Sequence, residues 1–446
     1  MNTPICDFVK QYARKEALRL HMPGHKGKGS GAEQLDITEI DGADVLYAPN
    51  GIIRQSQELA AELFGTAMTV YSTEGSSLAI RAMLYLAMLY GKQQGRTARI
   101  LAGRNAHKTF MTAVALLDLE PVWLQPREGD SLLSCSMDKE DLEAVLCAME
   151  EKPVAVYVTA PDYLGNMVDI GSLSEVCHRH GVLLLVDNAH GAYLRFLPQS
   201  LHPMDLGADL CCDSAHKTLP VLTGGAYLHI SKDAPELFSQ QVLCAMSMFA
   251  STSPSYLILQ SLDACNAYLS EGYAKKLEAF VREADALKCR LTEHGFDLVG
   301  EEPLKLTISP KSFGYRGTEL GALLEQKNIV CEFADPDYVV LMLTPELERE
   351  ELQMLEKTLL SIEPREPIKE WAPALPRSVK RMSVREALFS PSEERELSQC
   401  CGEILANASI TCPPAIPVLI CGEEITAEAQ TCLKYYGVER CRVVHP

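Results

Sequence analysis

The segment GVLLLVDNAH, residues 181–190, decides the fold. Its unbroken apolar run, Val182 to Val186, reads as a strand covered on both faces, and it ends on a carboxylate, Asp187, with His190 just beyond. Segments of the same texture recur along the chain: AMTVYS (67–72), RILAGRNAHK (99–108), PVWLQP (121–126), PVAVYVTAPD (153–162) and ADLCCDSAHK (208–217). Helix-forming stretches lie between them, such as LAIRAMLYLAMLYGKQ (78–93), which is apolar nearly all round. Continuous Val/Ile/Leu runs separated by helices imply an α/β fold with a mainly parallel sheet. Ligands in such sheets bind at the C-terminal strand ends, so the polar tips are the places to search.

The whole chain has 446 residues, enough for two or three domains. With 47% hydrophobic and 23% charged residues it has the composition of an ordinary globular protein. No apolar run reaches the roughly 18 residues of a membrane span. The start, MNTPICDFVKQYARKEALRLHMPGHKG, lacks the apolar centre of a signal peptide. The 16 cysteines are scattered, with no C-x-x-C, which suits reduced thiols in a cytoplasmic protein better than a disulfide frame or a zinc site; no metal is expected. A net charge of −19, from 41 basic and 60 acidic side chains, argues against nucleic acid or an anionic membrane as a partner. It leaves room for anionic small molecules bound by local backbone dipoles, and it would attract a cationic substrate.

Four tips carry chemistry. YSTEGSSLAIRA (71–82) sets Gly75, Ser76 and Ser77 between a strand and a helix. Amides and hydroxyls there suit a phosphate, although serines equally serve as plain helix caps. Asp187 needs a partner because a bare buried charge is costly. A backbone donor or an arginine would satisfy it, and so would a protonated heterocyclic nitrogen. His107, in GRNAHKTF, is a ring that could stack on a flat ligand or be merely structural. Lys217, in DSAHKTLP, is either a solvated loop lysine or a partly desolvated amine of lowered pKa, hence a nucleophile. A phosphate cradle, a strand-end aspartate and such a lysine are the parts that pyridoxal 5'-phosphate requires.

These segments resemble the bacterial Orn/Lys/Arg decarboxylase family, a fold-type I group with an aminotransferase-like core. The likeness runs through HMPGHKGKG (21–29), DITEIDGADVLYAPNGIIRQSQELAAELFGT (36–66), GRNAHKT, VDNAHGAY, DSAHKTLP and STSPSYLILQSLD (251–263). CPPAIPVLICGEEIT (412–426) is similar to that family's C-terminal Y-P-P-G-I-P…P-G-E segment. The likeness is to a short form without the N-terminal receiver-like domain. It implies Lys217 as the Schiff-base lysine, Asp187 as the partner of the ring nitrogen and His107 stacked on the ring. It also implies Ser76, Ser77 and Ser214 at the phosphate, with His190 near the cofactor and His216 beside the lysine. Thr252 would complete the phosphate site, from the same or a neighbouring subunit. Two segments depart from the family pattern: TEGSS stands for T-N-G-T-S, with Glu74 in place of an amide, and CPPAIP brings Cys412 and Ala415.

The domain expectation is an N-terminal arm (1–60) that reads as irregular, a cofactor-binding major domain (61–290), a small α/β domain (291–365) and a C-terminal decarboxylase domain (380–446). The proline- and charge-rich stretch 363–381 reads as a linker. The expected activity is decarboxylation of a basic amino acid, arginine or lysine ahead of ornithine, by a homodimer or larger homo-oligomer, with a use in polyamine biosynthesis or acid resistance. Lys217 or His216 would return a proton to Cα. Asp41, Asp44, Glu74 and Glu423 are candidates for the substrate's distal cation, and His21 and His25 lie in a loop expected near a dimer's active site. An aminotransferase or lyase on the same fold, or an inactive regulatory paralogue, would share the cofactor residues.

Overall fold

The computed structural model describes residues 1–29, 31–124, 133–134, 137–376, 379–408 and 418–445. The chain divides into two compact units. The first comprises residues 1–99, 138–160 and 169–278, and the second 100–137, 161–168 and 279–446.

The first seven strands along the chain are β1 (Met68–Ser72), β2 (Arg99–Gly103), β3 (Glu120–Leu124), β4 (Ala155–Thr159), β5 (Leu183–Asp187), β6 (Leu210–Asp213) and β7 (Ala226–Ile230). In the first unit the strand order is β1-β7-β6-β5-β4. Strands β4, β5 and β6 are parallel, while β7 runs antiparallel to both β6 and β1. The mainly parallel α/β sheet expected from the apolar runs is therefore present, with one reversed strand. The reversal follows from the short Leu219–Gly225 connection, which is too brief for the crossover that a parallel neighbour needs. Val156, Tyr157, Leu184, Leu185, Val186, Cys211 and Cys212 are fully buried, as strands covered on both faces require. The register pairs Thr159 with Asp187 and Asp187 with Cys212, so the C-terminal ends of three strands are level.

The helices of this region are α1 (Pro4–Arg14), α2 (Ile52–Phe64), α3 (Ser76–Gln93), α4 (Lys108–Leu117), α5 (Lys139–Ala148), α6 (Ile170–Arg179), α7 (Ala215–Thr218), α8 (Glu236–Ser247) and α9 (Tyr256–Tyr268). The N-terminal arm is thus less irregular than its composition suggests. Helix α1 opens with Pro4, whose missing N–H costs nothing at a helix start, and buries Ile5, Cys6 and Val9. Asp263 of α9 anchors it by accepting from the Cys6 amide at 2.9 Å. Asp44 gathers the amides of Asn50, Gly51, Ile53 and Arg54 at the start of α2.

The second unit holds a four-stranded antiparallel sheet and a two-stranded antiparallel pair. The larger sheet has the order 333–334, 339–342, 305–309, 297–299, and the pair joins Ser392–Glu396 to Arg440–Val444. Phe333 and Val340 of the larger sheet share one apolar core with Leu419, Leu433 and Val443 of the C-terminal segment.

Candidate active site

Asp187 closes β5 and is 2% exposed. Its Oδ2 accepts the Tyr157 hydroxyl of β4 at 2.9 Å, and its Oδ1 accepts the Ala189 amide at 3.3 Å and the Cys212 thiol of β6 at 3.6 Å. All three donors are neutral. Among the described residues no cation pairs with it, which leaves it open to a cationic partner.

Three residues beyond Asp187, the buried His190 sets Nε2 at 3.0 Å from Lys217 Nζ. One strand end therefore supplies the carboxylate and an imidazole, and the next, through the short helix α7, supplies the amine. His216, beside it, faces the Gly225 carbonyl with Nδ1 at 3.0 Å, so Nδ1 carries the hydrogen. Burial holds its pKa below the ordinary value, with Lys217 adding to the effect and the Gly225 carbonyl opposing it. The lowered pKa favours the neutral imidazole, with Nε2 as an acceptor.

The third tip is the start of α3. Gly75, at φ 71°, makes no side-chain cap, and a β-carbon there would meet nothing nearer than the Ser77 amide nitrogen at 3.9 Å. The turn is held from behind by a Gly75 N–H to Gly224 carbonyl bond of 2.7 Å. Ser214, the N-cap of α7, donates its hydroxyl to Ser76 Oγ at 2.8 Å. Hydroxyls from two strand ends and the amides of a helix start thus meet at one place, a donor set for a dianion. Glu74, exposed beside this turn, accepts the Ser251 amide at 2.7 Å. The donor groups present fit the phosphate, the ring nitrogen and the carbonyl carbon of pyridoxal phosphate.

Thr252 is exposed in the loop between α8 and α9. His107 belongs to the second unit, where its Nδ1 accepts the Thr109 amide at 3.2 Å and caps α4. His21 contacts the Tyr12 hydroxyl at 2.6 Å, and His25 pairs with Asp36 at 3.1 Å, so both histidines serve the arm itself. Asp44 is the helix cap described above, and Asp41 is exposed. Glu423, 3% exposed, is held by both terminal nitrogens of Arg104 at 2.8 and 2.9 Å, a bidentate pair within the second unit. The CPPAIP stretch, with Cys412 and Ala415, lies outside the described residues.

The sequence reading missed Asp213, which precedes Ser214 and is fully buried. Its Oδ2 accepts from Nε2 of His202 at 3.0 Å and of His229 at 3.2 Å, and its Oδ1 accepts the Asn188 amide group at 2.7 Å. It therefore ties the end of β6 to the residue after Asp187. Burial alone would raise its pKa, but the two imidazoles outweigh burial and bring it below the ordinary carboxylate value. Its contribution to stability is then present above the unfolded-state value near pH 4 and is lost as the pH falls below that. In Asp213→Asn the new NH2 must face either Asn188 or the imidazole N–H groups, a donor against a donor. Loss of about 3–5 kcal/mol at pH 7 is expected, shrinking below about pH 4. Urea unfolding of both proteins across pH checks it.

A lysine, a buried carboxylate and a hydroxyl-lined helix start at the ends of a mainly parallel sheet define the class: an α/β protein with the fold-type I, aminotransferase-like architecture. The structure is similar over its whole length to Escherichia coli constitutive lysine decarboxylase, with TM-score 0.78, 18% identity and 82% of that chain covered, a likeness of fold. Residues 3–299 match the family model for the Orn/Lys/Arg decarboxylase major domain. An arginine decarboxylase of Bacillus subtilis is 31% identical, with 96% of this chain and 92% of the relative aligned. One of Halalkalibacterium halodurans is also 31% identical, with 95% and 91% aligned. The chain belongs to the Orn/Lys/Arg decarboxylase family.

Proposed function

We propose that the protein uses pyridoxal phosphate to remove the α-carboxylate of a basic amino acid, with arginine first, then lysine, then ornithine. The observation that carries this reading is the convergence of Lys217, Asp187 and the Ser76–Ser214 pair at neighbouring strand ends. Arginine stands first because the two full-length relatives above bear that name.

When bound, pyridoxal phosphate supplies the electron sink that makes loss of carbon dioxide from Cα feasible. Ser76, Ser77, Ser214 and the first amides of α3 hold its phosphate. Asp187, steadied by Tyr157, keeps a proton on the ring nitrogen. Lys217 is the amine that carries the cofactor and the group that returns a proton to Cα. His216 suits that proton transfer less, because its pKa is lowered and its Nδ1–H is committed to Gly225. His107 is read as the ring that stacks on the cofactor, and Thr252 as a further phosphate ligand.

The reading includes a homodimer or larger homo-oligomer, supported by the exposed Leu18, Leu20 and Met22 of the N-terminal arm. It also includes a cytoplasmic setting, supported by free cysteines throughout the described residues, and a product used in polyamine biosynthesis. The test is to purify the protein with pyridoxal phosphate and supply arginine, lysine and ornithine separately, following carbon dioxide and the amine formed. Turnover of one of them is expected. Cofactor binding without carbon dioxide from any of the three would refute the decarboxylase reading for these substrates.

A further inference from the structure

A second cluster of chemistry-bearing side chains lies in the first unit, on α5 and α6. Glu143 and Cys147 are one turn apart on α5, with Cys147 in its last turn, and His180 is the C-cap of α6. One ligand atom from each lies within 4.8 Å of the others. His180 Nε2 is 2.9 Å and Cys147 Sγ 3.4 Å from the same oxygen, Glu143 Oε1. A proton now fills each gap. The other oxygen, Oε2, is buried and accepts no hydrogen bond. Arg179 stands 3.2 Å from it as an ion pair only.

We propose that Glu143, Cys147 and His180 form a site for a thiophilic divalent cation of the zinc class. A zinc ion binds sulfur at about 2.3 Å and nitrogen or oxygen at about 2.0–2.2 Å, so neighbouring ligands in a tetrahedron sit about 3.3–3.7 Å apart. Shifts of a few tenths of an ångström bring the two hydrogen-bonded edges to that size, with the ion in place of the two protons. The mixture of thiol, imidazole and carboxylate favours zinc or cobalt over magnesium or calcium. Two helix C-termini meet here, and their carbonyl ends favour a cation. Cys147 is exposed, which leaves the fourth position to water. Two resident cations compete: Arg179 at Oε2, and Lys152, whose Nζ caps the Leu146 and Met149 carbonyls at 2.7 and 2.8 Å. Spacing along the chain hides the site, because His180 lies on another helix from Cys147.

Protons compete with a metal for ligands of these types, so affinity should rise with pH. The test is titration of the chelator-treated holoprotein with cobalt(II), read by the visible d–d bands of a tetrahedral thiolate complex. A single equivalent should develop the bands, and zinc should displace them. Cys147→Ser and His180→Ala should lose them, since removing a ligand costs more than the about 10–100-fold seen when a supporting partner is removed. Arg179→Ala should tighten binding by removing the competing charge. Zinc should raise the thermal midpoint of the wild type but not of Cys147→Ser. Absence of tetrahedral bands, or bands unchanged in Cys147→Ser, would overturn the proposal.

Discussion

Replacing Lys217 with alanine is expected to lower kcat for decarboxylation by at least about 10,000-fold, the upper end of a single acid–base group's contribution. The reason is that one amine is asked both to hold the cofactor and to move the proton at Cα. A lysine that merely completed the polar surround of His190 would not give this result. Its loss would alter stability and leave turnover within a few-fold. Lys217→Arg separates the two readings further. It keeps a cation near His190 Nε2, 3.0 Å from the native Nζ, but a guanidinium does not condense with a carbonyl carbon at neutral pH. Both variants should fold, bind far less cofactor and be inactive. Near-normal activity in Lys217→Arg would show that only the charge matters. Progress curves with the preferred amino acid, together with equilibrium dialysis of pyridoxal phosphate, read both effects.

Asp187→Asn is expected to reduce kcat by about 100–1,000-fold, the range for removing one preorganised electrostatic group from an active site. The change leaves the backbone of β5 in place and keeps an oxygen for Tyr157, whose hydroxyl lies 2.9 Å from Oδ2. It removes the negative charge that holds a proton on the ring nitrogen. Cofactor affinity should fall as well, because the buried site then lacks an anion opposite that nitrogen. Tyr157→Phe should lose much less, since it removes one neutral hydrogen bond to the carboxylate and not the charge, a matter of about 0.5–1.5 kcal/mol. An Asp187→Asn enzyme with wild-type kcat and cofactor affinity would assign the carboxylate a purely structural role.

The strands that build the site are legible in the sequence because each is a short apolar run closed by a polar residue. Asp187 stands out as the carboxylate that closes a buried run, and Lys217 as the lysine four residues beyond another. Less visible was anything set by contacts distant along the chain. The N-terminal arm looked irregular because glycine, histidine and lysine dominate residues 21–29, yet α1 is pinned by an aspartate 257 residues away. Asp44 was read as a possible substrate acid and proves to be a cap whose partners come from the next turn of chain. Asp213 carries the same mark as Asp187, a carboxylate at a strand end, but not its surroundings. Its partners, His202 and His229, come from a separate connection and from the reversed strand β7, whose direction no apolar pattern reveals. Glu423 illustrates the opposite limit: an acid in a family-like motif, but with its charge already met by Arg104.

The most direct test of the central claim is to reduce the holoprotein with borohydride, digest it and map the modified lysine by mass spectrometry. The phosphopyridoxyl group is expected on the peptide that contains Lys217, and none in Lys217→Ala. A label on another lysine, or none on a protein that still turns over substrate, would contradict it.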